Sequence, residues 1–85
     1  MKNSVTGKNI IVEIDKDYGP YVQIDDFEDY DYLEDELTER FGIEPLSVQP
    51  IKEDGKVIAH RIYFGKLSNP KTIQKLVNQI EVNNS

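Results

Sequence analysis

The sequence predicts a two-layer α+β domain in which four antiparallel strands carry two helices on one face, in the order β-β-α-β-β-α. Three observations favour this class: alternating apolar residues near the start, two segments with helical periodicity, and Gly- or Pro-containing turns between strand-like segments. The chain has 85 residues and no cysteine, which excludes disulfides and thiolate metal sites. We expect a single domain, residues 1–85, with an ordered core over about residues 8–82.

The first predicted unit is a β-hairpin over residues 8–24. Apolar residues stand at every second position on both sides of residues 16–20. Gly19 and Pro20 interrupt the pattern there, which predicts a loop of four or five residues. The residues expected to face the core are Ile10, Val12, Ile14, Val22 and Ile24.

The second unit is an acidic helix over residues 26–41. Asp25 or Asp26 is expected to cap its N-terminus through backbone N–H groups. Gly42 is expected to end it in the left-handed conformation. Its apolar positions recur at helical spacing and form one core-facing stripe; they are Phe27, Tyr30, Leu33, Leu37 and Phe41.

Two further strands are predicted over residues 45–52 and 56–64, where Pro50 indicates an edge strand or a bulge. The Glu-Asp-Gly turn between them allows two registers. A two-residue Asp-Gly loop would place Val48 opposite Arg61. A three-residue loop with a bulge at the glycine is preferred, because register follows the buried pattern and this loop gathers the apolar residues on one face. Those residues are Leu46, Val48, Ile58, Ile62 and Phe64.

The last predicted element is a helix over residues 68–80. Ser68 or Asn69 is expected to cap it, and Pro70 fits its first position because no N–H is required there. Its apolar residues repeat at helical spacing; they are Ile73, Leu76, Val77 and Ile80. The three final residues are expected to fray.

The net charge of −6 is distributed unevenly. Residues 1–24 carry three acids and three bases, residues 25–44 ten acids and one base, and residues 45–85 three acids and six bases. These segments contribute 0, −9 and +3, which sum to −6. Such a polarised potential steers association with charged partners. It also opposes direct binding of nucleic acid by the acidic segment, because phosphate would be repelled.

The outward face of the predicted acidic helix is the candidate partner-binding site. Tyr32 is expected near its centre, where a tyrosine offers rigid contact area and a hydroxyl group. The carboxylates around it would pair with lysine or arginine of a basic partner; alternatively, they form an ordinary solvated helix face. The candidate partner-binding residues are Glu28, Asp29, Asp31, Tyr32, Asp35, Glu36 and Glu39.

The sequence shows no pattern that indicates catalysis, and we expect no enzyme activity, catalytic residue, metal site or cofactor. His60 is the only histidine, and phosphate-loop and G-x-S-x-G motifs do not occur. An EF-hand loop beginning at Asp29 fails, because Leu33 and Glu34 stand where an acid and a glycine are needed. The N-terminus does not resemble a secretory signal, and no apolar run approaches the ~20 residues of a membrane span. A cytoplasmic location with no membrane contact is expected.

Three hypotheses of function follow. The first is an inhibitor or immunity protein whose acidic helix occludes the basic, nucleic-acid-binding surface of a nuclease-type toxin or another DNA- or RNA-binding protein. The second is a phage-type mimic of nucleic acid. The third is a structural or assembly domain that forms a homodimer through its sheet. The residues expected in that contact are Tyr21, Gln23, Val57 and Tyr63, beside Ile11, Glu13 and Arg61.

Overall fold

A computed structural model describes residues 1–80 and confirms the predicted two-layer α+β fold. The predicted end of the core near residue 82 and the predicted fraying of the tail lie outside the described residues. The elements are β1 (Glu13–Asp15), β2 (Gly19–Ile24), α1 (Phe27–Asp35) with a π-helical continuation (Glu36–Arg40), β3 (Ser47–Glu53), β4 (Lys56–Tyr63) and α2 (Pro70–Gln79). The strands form one antiparallel sheet in the order β1-β2-β4-β3.

The core lies between the two central strands and the two helices. Val22 of β2 pairs with Ile62 of β4, and both side chains are fully buried. Leu33 and Leu37 reach this cluster from the acidic helix. Helix α2 contributes residues at its predicted apolar positions, so both helices pack on the same face of the sheet. The α2 residues in the cluster, with one that follows the helix, are Ile73, Val77 and Ile80.

The first hairpin is confirmed, although β1 is short and the turn is tighter than predicted. The turn comprises residues 16–18, three residues instead of four or five. Asp15 Oδ1 accepts hydrogen bonds from the backbone N–H of Tyr18 at 2.9 Å and Asp17 at 2.8 Å, which lower the pKa of its carboxyl group. Ile14 is exposed, contrary to prediction, because β1 is an edge strand and α1 packs on β2 and β4.

The packed part of the chain begins before residue 8, where the sequence placed the start of the core. Met1 is only 7% exposed, and its amino group donates to the Val77 carbonyl at 2.9 Å. The Gln74 amide joins this segment to α2: Val12 N–H donates to Gln74 Oε1 at 2.6 Å, and Gln74 Nε2 donates to the Ile10 carbonyl at 3.1 Å. These bonds satisfy backbone groups that the short strand β1 leaves unpaired.

The second hairpin has the two-residue loop, so the preferred three-residue loop was wrong. Asp54 and Gly55 both have positive φ, 52° and 77°, as the twist of a type I′ turn requires. A register shift beside Ile51 then places Val48 opposite Ile62. Because the bulge inserts one residue, it changes which residues share the buried face. Leu46 and Ile58 are consequently exposed, contrary to prediction, whereas Ile62 and Phe64 are buried and Val48 is partly buried.

The predicted helix ends are confirmed. Asp26 Oδ2 accepts the Asp29 N–H at 3.1 Å at the start of α1. Gly42 has φ 67° directly after Phe41, the residue that closes the π-helical segment. Asn69 caps α2 by accepting from the first two N–H donors after Pro70. Pro50 lies on β3, an edge strand, as predicted.

Candidate partner-binding surface

The acidic helix is rotated about its axis relative to the predicted phase. The deepest residues are Leu33 and Leu37, both fully buried, and Asp29, which is 3% exposed. Phe27, predicted to be in the core, is 62% exposed. The shift toward Asp29 corresponds to roughly half of the 100° that separates successive helical residues. It moves the outward face away from the position that the apolar stripe predicts.

Asp29 is a structural residue, so the prediction that it faces outward was wrong. Its two carboxylate oxygens accept from the backbone N–H and the hydroxyl group of Ser4, each at 2.7 Å. Asn3 Nδ2 donates to the nearby Asp25 carboxylate at 2.9 Å. Hydrogen bonds to an ionised acceptor are strong enough to offset the burial of a carboxylate. The N-terminal segment therefore rotates the helix by supplying these donors.

Tyr32 does not occupy the centre of the exposed face, so this prediction was also wrong. It is half-buried and packs against the hydrophobic core. Its phenol hydrogen-bonds to the Glu36 carboxylate, and this bond is the main reason that the pKa of Tyr32 is raised. The rotation that buries Asp29 also carries Tyr32, three residues later, toward the core. Tyr32 therefore lies at the border between the core and the acidic surface.

A groove of about 370 Å³ lies where the α-helix passes into the π-helical segment. The π-helix has a wider turn than the α-helix, and single π turns are frequent at functional sites. The groove combines three carboxylates with the guanidinium group of Arg40. This group lies over the Phe41 ring, 5.0 Å from the ring centroid. The groove is lined by Tyr32, Asp35, Glu36, Glu39 and Arg40.

The groove therefore brings together four of the seven candidate residues: the tyrosine and the three acids of the last turns. Glu28 and Asp31 are exposed on the helix but do not line the groove. A groove with this charge is suited to a lysine or arginine side chain, because the carboxylates supply charge-assisted acceptors. We refer below to Glu28, Asp31 and the five groove residues as the acidic surface.

An aromatic cluster beside the acidic helix was missed by the sequence analysis. The Tyr30 and His60 rings are stacked, with centroids 4.5 Å apart and 13° between their planes. Phe27 lies 5.8 Å from both rings. The pKa of Tyr30 is raised to about 12, mainly because the side chain is partly buried and secondly because it hydrogen-bonds to Glu34. The register between β2 and β4 was the signal that could have revealed this cluster. His60 lies opposite Ile24, so its side chain points to the helix-covered face of the sheet.

Two properties of the described residues bear on alternative functions. Within residues 1–80, no group of three or more His, Cys, Asp or Glu side chains is placed to hold a metal ion. Over the same range, no helix is long and apolar enough to cross a membrane.

Comparison with known proteins adds no family assignment. The chain matches no protein-family model, and no significant match was found among curated proteins or solved structures. Function must therefore be argued from the residues and their geometry.

Proposed function

We propose that the protein is a small acidic binding module, without enzyme activity, whose acidic surface docks on a basic surface of another protein. The observation that carries this proposal is the groove lined by Tyr32, Asp35, Glu36 and Glu39. It offers three carboxylates and a phenol on one side of the helix, and the helix is anchored by the fully buried Leu33 and Leu37. Such a surface attracts basic partners and aligns them for docking.

The partner that best fits this chemistry is a protein that itself binds nucleic acid. Its binding site must be basic to hold phosphate, and an acidic helix that covers the site would exclude DNA or RNA. We therefore propose an inhibitor or immunity role against a nuclease-type toxin or another nucleic-acid-binding protein, exerted in the cytoplasm. A phage-type nucleic-acid mimic would use the same surface against a different target.

A capture experiment with three baits tests the proposal. The wild type is compared with Glu36→Lys/Glu39→Lys, which reverses two groove acids. The turn control, Asp17→Lys/Glu53→Lys, makes the same charge change at two exposed residues, one in the first hairpin turn and one at the end of β3 beside the second. Each bait is incubated with the source lysate, and the proteins that it captures are eluted with a salt gradient. Each captured protein is then purified for titration. Circular dichroism confirms that all three baits are folded.

We expect a basic protein that binds the wild type and the turn control alike. The groove variant should bind it at least about tenfold more weakly, because reversed charges at an interface slow association and repel the partner. DNA or RNA added as a competitor should displace the protein. Equal capture by the groove variant and the wild type, or a captured protein that nucleic acid fails to displace, would contradict the proposal.

A further inference from the structure

The aromatic cluster of Phe27, Tyr30 and His60 joins the first turn of α1 to strand β4 and is open to solvent on one side. The Tyr30 and His60 rings form a stack, with centroids 4.5 Å apart. Phe27 lies 5.8 Å from both centroids, so it packs across the side of the stack instead of extending it. Although it makes both contacts, Phe27 is 62% exposed. The cluster therefore holds one large aromatic ring in place and presents much of it to solvent.

Carboxylates stand beside the aromatic cluster on the helix. Asp31 follows Phe27 by four residues and is exposed, so the two side chains are neighbours on the helix surface. Glu34 follows Tyr30 by four residues and hydrogen-bonds to its hydroxyl group. From residue 25 to residue 39 the chain has nine acids and no lysine or arginine. An apolar partner would bury such carboxylates without neutralising them, which is costly, whereas a cationic side chain would pair with them.

The aromatic cluster and the groove lie on opposite flanks of α1. Because successive helical residues are about 100° apart, Tyr30 and Tyr32 lie on either side of the buried Leu33, at roughly 60° and 100° from it. Tyr30 belongs to the cluster and Tyr32 lines the groove. Asp31, between them, lies on the outward side of the helix and is part of the acidic surface. A partner that lies along the outward side therefore reaches the groove on one flank and the cluster on the other.

We propose that the aromatic cluster is a second contact for the basic partner, at which an arginine side chain of the partner stacks on Phe27 and pairs with Asp31. The inference rests on the proposed function, because the same partner supplies the cation. Arginine fits better than lysine, since its planar guanidinium group stacks on an aromatic face and forms two parallel hydrogen bonds with a carboxylate. The lysine ammonium group is a point charge and is more strongly hydrated. The cluster thus selects the type of cation, which the carboxylates alone do not.

Phe27 is the residue on which this second contact depends most. Its ring is already positioned by Tyr30 and His60, so little conformational entropy is lost when a partner binds. Aromatic residues and arginine are also the residue types that contribute most to binding at protein interfaces. Loss of one cation–π contact at a partly desolvated site lowers affinity by roughly three- to tenfold. An effect of that size is measurable by titration.

Two peptides of equal charge, N-acetylated and C-amidated tetra-arginine and tetra-lysine, test the proposal without the partner. His60 is the only histidine, so its ring protons give an NMR signal that reports on the cluster. The peptides are titrated at constant pH and ionic strength into the wild type and three variants. Phe27→Leu removes the ring but keeps an apolar side chain, and Phe27→Tyr keeps the ring. Tyr18→Leu is the matched control, because it removes a similarly exposed ring from the first hairpin turn.

We expect the wild type, Phe27→Tyr and Tyr18→Leu to bind tetra-arginine at least about threefold more tightly than tetra-lysine, as fitted from the His60 signal. Phe27→Leu should bind both peptides equally, because only the charge of the carboxylates then attracts them. Equal binding of the two peptides by the wild type would overturn the proposal, and this comparison needs no variant to fold. An arginine preference that persists in Phe27→Leu would overturn it as well.

Titration of the captured basic protein separates this inference from the proposed function. We expect Phe27→Leu to weaken the complex about three- to tenfold, whereas Phe27→Tyr and Tyr18→Leu bind like the wild type. If Glu36→Lys/Glu39→Lys weakens the complex and Phe27→Leu does not, the aromatic contact is overturned and the proposed function stands. If Phe27→Leu weakens the complex and the groove variant does not, docking in the groove is overturned and the aromatic contact stands. Circular dichroism confirms that each variant is folded.

Discussion

The carboxylate of Asp29 shows how one side chain sets the orientation of a helix. Asp29 occupies the third position of α1, where acidic residues are favoured by the helix dipole and by free N–H groups. It accepts two hydrogen bonds from Ser4 while being almost completely buried. Removing an acceptor at such a position leaves donors and a small cavity behind. Asp29 therefore contributes to stability instead of partner binding.

We expect Asp29→Ala to lower the free energy of unfolding by about 2 kcal/mol, because two hydrogen bonds to a charged acceptor are lost. Urea denaturation followed by circular dichroism measures the change. Asp31→Ala is the control: Asp31 is an exposed acid on the same helix, and its loss should alter stability by less than about 0.5 kcal/mol. Equal effects of the two substitutions would show that Asp29 does not fix the helix.

The residues of the candidate site were only partly predictable, because the contact between Asp29 and Ser4 sets the orientation of the helix. The helix periodicity of residues 26–41 identified the acidic segment, its caps and the buried pair Leu33 and Leu37. The exact phase depends on Ser4, which is distant in sequence and has no apolar pattern to reveal its position. Burial of Asp29 and Tyr32 is a tertiary effect of that contact, and periodicity alone does not contain it.

At the scale of the elements, local signals predicted each strand and helix but not the register of the second hairpin. The Asp-Gly pair specified a type I′ turn, which needs no tertiary contact. The preference for a three-residue loop came from gathering Leu46 and Ile58 with the buried residues. The bulge beside Ile51 instead aligns Val48 with Ile62 and leaves those two residues exposed. The bulge allows the two-residue turn and the pairing of Val48 with Ile62 to coexist, so neither the turn residues nor the apolar pattern alone predicts it.

Gly19 and Gly55 need glycine for different reasons: both have a left-handed backbone conformation, but only Gly19 is also closely packed against another segment. Gly19 and Gly55 have similar φ, 82° and 77°. A Cβ at Gly19 would lie 2.7 Å from Lys66 Cα, whereas a Cβ at Gly55 would meet nothing within 4 Å. The first turn thus requires glycine both for its conformation and for the backbone that crosses over it.

We expect Gly55→Ala to lower the free energy of unfolding by about 1 kcal/mol, the usual strain of a left-handed alanine. Gly19→Ala should cost about 2–4 kcal/mol, because a backbone clash is added to that strain. Thermal and urea unfolding of the two variants against the wild type measure the difference. Similar losses would mean that the residue 65–66 segment moves aside easily, and that the close approach at Gly19 is not a constraint.

At the scale of the whole molecule, the polarised charge opposes the stability of the fold that carries it. Residues 25–44 hold ten acids and one base, and the acids repeat along α1 at spacings of three and four residues. Like charges at those spacings destabilise a helix by roughly 0.2–0.5 kcal/mol per pair. Acids in the first turn are the exception, because the helix dipole stabilises them. Retaining repulsive acids at the later positions is consistent with a binding role, since binding surfaces are often not optimised for stability.

Repulsion between the helix acids predicts that the substitution Asp35→Asn raises the stability of the free protein and weakens its binding to a basic partner. Asp35→Asn removes a groove acid that faces Asp31 one turn earlier, and should raise the free energy of unfolding by about 0.3–0.5 kcal/mol at low ionic strength. The gain should shrink in about 1 M salt, where charge repulsion is screened. Glu28→Gln makes the same charge change in the first turn and should bring no gain, because it removes a favourable interaction with the helix dipole.

Binding should respond in the opposite direction from stability. If the groove docks on a basic partner, Asp35→Asn should weaken that complex while stabilising the free protein, a combination that general unfolding does not produce. Urea denaturation at two salt concentrations and titration with the captured partner measure the two quantities on the same samples. A gain in stability with unchanged affinity would identify the acids as a solvated surface whose charge is unrelated to docking.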